Sequence, residues 1–213
     1  IEFLANRGLT VHGVLMMSHM IDVQGLVRKA NLMRNYGASA VILMDSAGYF
    51  IPSDVADRVA AIKDSVDLEV GFHAHNNLGV AVTNSIEARL AGASIIDGAS
   101  MGLGAGAGNA QLENIIAVSS REDVKTDVGS LEYFIKVSVL VEKSYPGFLP
   151  RTSSSSTQSG MAGVFSGYAP QVKLLAEELG INVGILWEEM ARRKLVAGQE
   201  SMIREIAQDI MNL

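Results

Sequence analysis

The stretch "YGASAVILMDSAG" (36–48) sets the reading of the chain. A glycine-alanine step closes one segment, a continuously apolar run follows, and a small polar turn ends it. Apolar residues without alternation mark a strand buried on both faces, as a parallel sheet covered by helices requires. The same junction recurs in "AGASIIDGAS" (91–100), and "LEVGFHAH" (68–75) and "VHGVLMM" (11–17) supply two further runs. Helical spacing fills the gaps. In 22–36, Val23, Leu26, Val27, Ala30 and Met33 recur at three- and four-residue steps; 53–66 repeats Val55, Val59 and Ile62 behind Ser53 as a prospective N-cap; 77–93 runs up to Gly92 as a helix stop. This β-α-β-α alternation predicts an α/β fold with a parallel sheet. Parallel strands gather their functional loops at their C-terminal ends. "MMSHM" (16–20), "MDSAG" (44–48), "HAHNN" (73–77) and "ASMGLGAGAGNA" (99–110) all fall there, enough for half of a (β/α) barrel.

Beyond about residue 130 the pattern changes. Residues 130–145 read as an amphipathic helix, and "PGFLPRTSSSSTQSG" (146–160) has the composition of a linker or an ordered loop. Segments 168–180, 183–196 and 200–213 read as three helices. The expected organisation is therefore a half barrel over 1–130 and a helical C-terminal unit over 131–213. With 48% hydrophobic residues in 213, the chain can build a sizeable core. Its net charge of −6, with basic residues scattered, argues against a nucleic-acid partner. No apolar run is long enough to span a bilayer and the first residues lack a signal pattern, so a cytoplasmic protein is expected, without membrane association. The absence of cysteine excludes disulfides and thiolate metal sites.

Residues two apart in a strand point to the same side, so His73 and His75 project together at a loop-bearing strand end. Imidazoles suit Mn, Fe, Co, Ni or Zn, and two of them need at least one further ligand. The same pair could instead be solvent-facing or hydrogen-bonded to neighbours. Asp45 and Ser46, at the preceding strand end, could meet a substrate carboxylate or carbonyl, but a plain turn or cap is the simpler expectation. Gly102 to Ala107 fits G-x-G-x-x-A, a weak dinucleotide signal; close approach of a ligand or of another backbone explains the glycines better. His12 is expected in the core, and His19 at a strand end next to the site.

Taken together, "VLMMSHM" (14–20), "MDSAG", "GFHAHNNLGVAVTNS" (71–85), "GAGAGNAQLE" (104–113) and "RRKLVAGQESMI" (192–203) resemble the C-terminal part of 4-hydroxy-2-oxovalerate aldolases. These are class II pyruvate aldolases of the HMG-CoA-lyase-like superfamily. The resemblance implies a TIM (β/α)8 barrel, of which this chain holds about strands 5–8, followed by the helical domain. It implies that His73 and His75 bind a divalent metal, expected to be Mn²⁺, and that Ser46 contacts the substrate. The implied reaction cleaves a 4-hydroxy-2-oxoacid to pyruvate and an aldehyde, within aromatic-compound catabolism. The implied partner is an acylating acetaldehyde dehydrogenase, docked on the helical unit and receiving the aldehyde by channelling. Two departures stand out. The family's Arg-Asp pair and its basic histidine, which precede the fifth strand, are not in these residues, so a preceding half is expected to carry the base and the third ligand. Phe165 stands where the family has a substrate-side tyrosine, with Tyr168 three residues on. Two other readings remain: a Claisen-type acyl-CoA lyase or synthase on the same fold, and a non-catalytic module that docks a dehydrogenase.

Overall fold

The computed structural model describes residues 1–121, 129–147 and 149–212. Its first part runs α1 (Glu2–Ala5), β1 (His12–Leu15), α2 (Val23–Asn35), β2 (Ala40–Asp45), α3 (Pro52–Ser65), β3 (Glu69–Ala74), α4 (Ala81–Leu90), β4 (Ile95–Asp97) and α5 (Leu112–Arg121). The strands form one parallel sheet in the order β1-β2-β3-β4. The α/β reading with a parallel sheet therefore holds.

Register assigns the faces. Val41 pairs with Val70, and Leu15, Leu43, Phe72 and Ile96 align across the sheet. This face packs against Leu26 and Ala30 of α2, Val55, Val59 and Ile62 of α3, and Ile86 and Ala88 of α4. Phe72, Leu43 and Ile62 are fully buried there; each such side chain is worth about 1.5–3 kcal/mol relative to exposure. The opposite face carries Val14, Ile42, Gly71 and Ile95 in one row and Met44, His73 and Asp97 in the next. Gly71 leaves room for its neighbours: a Cβ there would sit 2.3 Å from Ile42 Cδ1 and 3.1 Å from Ile95 Cβ, so Ile42 would have to shift. On β1 this face is open, with Val14 43% exposed. His12 shares it and is exposed, which corrects the expectation of a core histidine. Its strand is an edge strand, covered by helices on one side only.

Both glycine-alanine junctions turn as read. Gly37 and Gly92 adopt φ of +87° and +105°, and a Cβ on Gly37 would press on Ala5 at 2.8 Å. Helix α3 starts one residue earlier than expected. Pro52 takes the first helical position, and Asp54 rather than Ser53 accepts from a free N–H, that of Ile51 at 3.3 Å.

The remainder is helical: α6 (Leu131–Ser144), α7 (Ser154–Ala162), α8 (Ala169–Leu179), α9 (Val183–Arg192) and α10 (Ser201–Met211). The domain boundary expected at residue 130 abuts residues 122–128, which lie outside the described residues, as does Phe148. The serine run is no linker. Ser153 and Ser156 cap α7 reciprocally, at 3.2 and 2.8 Å. A second core forms around Trp187, Leu186, Met190, Ile203, Ile206, Val172 and Tyr168. Three polar links tie this core to the sheet: Ser166 N–H donates to Ser46 O at 3.0 Å, His19 Nε2 meets Gly163 O at 2.7 Å, and Asn77 Nδ2 donates to Ser166 Oγ at 3.0 Å. Among the described residues no helix is long and apolar enough to cross a membrane.

Candidate metal centre

Strand β3 carries His73 one residue before its end, on the face opposite the helix-packed core, and His75 follows just past it. Their ring centroids are 5.4 Å apart, so the two imidazoles share one patch as the spacing requires. His73 Nδ1 lies 3.3 Å from Asp97 Oδ2, its direct cross-strand partner in the parallel register. His75 is held by its backbone, which donates to Asp45 O at 3.3 Å and bridges to Asn109. Burial lowers its pKa to about 4, helped by the neighbouring His73 and opposed by the Ala105 carbonyl. At neutral pH its ring therefore carries a lone pair rather than a second proton. Its Nδ1 is buried without a hydrogen-bond partner, and so is Asn109 Oδ1. Buried lone pairs of this kind are costly unless something takes them up.

This donor set fits part of a site for a borderline divalent ion: two imidazoles, one held neutral, and the unpartnered amide oxygen of Asn109, whose backbone bridges to His75. Among the described residues no group of three His, Asp or Glu side chains converges on such an ion. Asn109 escapes a reading of the sequence because it follows a run of glycines that looks like plain loop.

The surrounding loops are locked by Asn77, which is 1% exposed. Its Nδ2 donates to Ala47 O at 2.9 Å as well as to Ser166 Oγ, and its Oδ1 accepts from Ala107 N at 2.9 Å. One amide thus joins the β2 loop, the glycine loop and the helical unit. The glycine loop closes on itself: Asn109 N–H donates to Gly102 O at 2.9 Å, and a Cβ on Gly108 would fall 2.1 Å from that oxygen. Backbone approach, rather than a dinucleotide, accounts for its glycines.

Asp45 is a turn cap. Fully buried, it accepts from Tyr49 N at 2.9 Å and Phe50 N at 3.1 Å, and burial raises its pKa to about 6 against those bonds. Ser46 is also fully buried, and its Oγ accepts from Met17 N at 2.9 Å, pinning a residue with φ of +50°. His19 sits in the one-turn 3-10 helix after β1, beside a cleft of about 250 Å³ lined by Tyr49, Gly163, Lys194 and Leu195, and burial lowers its pKa. Phe165 packs edge-on against Tyr168 at 5.4 Å. Tyr168 does not replace a hydroxyl at Phe165: its own is bound to Val196 O and accepts from Gln199 N at 3.1 Å, inside the helical core.

An α/β protein with a histidine pair and a self-closed glycine loop at parallel strand ends is thereby defined. Residues 1–141 match the HMGL-like family and residues 150–212 match the DmpG-like communication domain. The chain belongs to the HMGL-like family. It is 47% identical over 210 residues to a 4-hydroxy-2-oxovalerate aldolase of Spirochaeta aurantia, covering 99% of this chain and 61% of that protein. A Burkholderia pseudomallei protein of the same name is 47% identical over 212 residues, covering 97% and 59%. The chain thus spans about 60% of the length of these relatives. Among solved structures, Rhizobium etli pyruvate carboxylase T882A superposes with a TM-score of 0.77 at 17% identity, over 95% of this chain and 19% of that one. The N-terminal domain of a putative aldolase from Bacteroides vulgatus gives 0.63 at 22%, over 79% and 56%. At these identities the structural likeness speaks for the fold alone.

Proposed function

We propose that the chain is the metal-binding and partner-docking part of an aldolase that cleaves 4-hydroxy-2-oxoacids to pyruvate and an aldehyde. In this reading its β/α units are half of a (β/α)8 barrel, and the open face of β1 is where the rest of the barrel packs. The observation that carries it is the strand-end pair His73 and His75, the latter neutral with an unpartnered Nδ1, in a chain 47% identical to an aldolase of that specificity. A divalent ion, manganese by expectation, would serve when bound as a Lewis acid toward the keto and carboxylate oxygens of the substrate.

His73 and His75 would be two of its ligands, with Asn109, which bridges to His75, next to them; a carboxylate as third ligand, an arginine and the general base would come from outside these residues. The chain's own groups prepare the site. Burial holds His75 unprotonated, so no proton must leave before it binds the ion. Asn77 fixes the glycine loop beside the strand ends by accepting from Ala107 N. Ser46, through the turn it pins at Met17, and Phe165 would line the substrate side, the latter offering shape without a hydroxyl. The helical unit, matched by a communication-domain pattern, would dock an acylating aldehyde dehydrogenase that takes up the aldehyde product.

The test uses the full-length natural protein with 4-hydroxy-2-oxopentanoate, following pyruvate with lactate dehydrogenase and NADH. Release that needs Mn²⁺ and stops on chelation is expected. Release indifferent to chelation would overturn the metal reading, and turnover of acyl-CoA substrates instead would move the chain to Claisen-type chemistry.

A further inference from the structure

Asp97 is absorbed by none of the roles above, yet it touches a candidate ligand. Strand β4 places it directly opposite His73 in the β3 register, and its Oδ2 lies 3.3 Å from His73 Nδ1. A carboxylate can only accept, so the proton of a neutral His73 ring sits on Nδ1, and the lone pair is fixed on Nε2. Without that acceptor the ring is free to place its proton on either nitrogen and to rotate about its side-chain bonds. A second partner that fixes tautomer and orientation in this way is a general feature of metal-binding histidines. Asp97 is not built in as a structural strut: its side chain is 44% exposed, and among the described residues it bonds only to His73. The strand itself is held by backbone pairing of Gly71, Phe72 and His73 with Ile95, Ile96 and Asp97.

We infer that Asp97 is the positioning residue of His73, holding the Nδ1–H tautomer so that Nε2 faces a divalent ion. The inference rests on the metal reading of the His73–His75 pair and adds to it a residue outside the ligand set. It also separates the two histidines in kind. His73 is oriented by a carboxylate, whereas the His75 ring is held by burial and the Ala105 carbonyl.

The test compares Asp97→Ala and Asp97→Asn with wild type in the full-length natural protein, titrated with MnCl2 and read by the electron paramagnetic resonance signal of free Mn²⁺. An asparagine Oδ1 can still accept from Nδ1–H, whereas alanine offers nothing. Asp97→Ala is expected to weaken Mn²⁺ binding by roughly 10–100-fold, and Asp97→Asn by less, because its Oδ1 keeps the bond to Nδ1–H. In the metal-free protein, ¹⁵N shifts of the labelled His73 ring should show one tautomer in wild type and Asp97→Asn and a mixture in Asp97→Ala, with unchanged melting temperature. Equal losses in both variants would make Asp97 a ligand rather than a positioning residue. Unchanged binding in Asp97→Ala would overturn the inference while leaving the metal reading intact. No Mn²⁺ binding by wild type would remove both.

Discussion

Replacing Asn77 by alanine removes the one side chain that ties three loops together. Its amide makes three hydrogen bonds, to Ala47 O, Ser166 Oγ and Ala107 N, at 2.9, 3.0 and 2.9 Å. All three partners are buried: Ala47 and Ser166 fully, Ala107 to 3% exposure. Each lost bond removes about 1 kcal/mol net, and a buried partner left unpaired costs about 1–3 kcal/mol. Ser166 can turn its hydroxyl elsewhere, and its N–H keeps Ser46 O. Ala47 C=O and Ala107 N–H have no such freedom, because Gly48 and Gly106 crowd Asn77 so closely that a Cβ on either would lie under 3 Å from it. The expected loss is about 3–5 kcal/mol, a large part of the roughly 5–15 kcal/mol that stabilises a domain. Urea unfolding of the full-length protein measures it as a shift of midpoint at constant slope. Asn77→Asp should also destabilise, since it keeps the acceptor for Ala107 N and can accept from the Ser166 hydroxyl but sets a carboxylate oxygen against Ala47 O. A loss below about 1 kcal/mol in the alanine variant would show that water or a neighbour satisfies these groups, and the hub argument would fall.

Two buried titrating groups make opposed predictions for the metal-free protein. His75 drops from 6.5 to about 4 on folding, so the unfolded chain holds its proton more tightly and stability is lost as pH falls from 6.5 to 4, by about 3 kcal/mol at full effect. Asp45 rises from 3.8 to about 6, so its contribution is largest below 3.8 and is lost as pH rises through 6, by a similar amount. Asp45→Asn should therefore unmask acid destabilisation between pH 6.5 and 4, and His75→Gln the reverse slope; parallel pH profiles for both variants and wild type would refute these environments. Gly108→Ala forces a Cβ to 2.1 Å from Gly102 O at φ of +87°, and should cost more than about 2 kcal/mol by thermal or urea unfolding; a neutral substitution would mean the loop is not closed as described. Tyr168→Phe cuts the hydroxyl that joins Val196 O to Gln199 N, and should cost about 1–3 kcal/mol in the same assay, with no loss meaning that solvent reaches that turn.

The parallel sheet was legible because its strands are short apolar runs, two of them opened by glycine-alanine steps, and these depend only on local composition. Helix α7 was not, because its sequence is serine-rich. It forms through reciprocal Ser153–Ser156 capping and because Gly160 allows close packing, where a Cβ would already meet Leu78 at 3.0 Å and Asn77 at 3.1 Å. His12 was misplaced because strand periodicity cannot tell a covered face from an open one at a sheet edge. Of the site, the His73–His75 pair follows from the two-residue repeat alone. Asn77 was visible only as part of "NN" after the histidines, and its hub role depends on Ser166, far along the chain. Asp97 and Asn109 needed the register of β3 with β4 and the bridge at His75, which no local pattern encodes.

The central claim is that one strand end holds a divalent ion through His73 and His75. Its most direct test is Mn²⁺ binding, by stoichiometry and affinity, in the full-length natural protein and in its His73→Ala/His75→Ala variant, with circular dichroism confirming that the variant is folded. One ion per chain in wild type and none in the folded variant is the expected result. An undiminished ion in the variant would place the metal elsewhere and contradict the reading of this site.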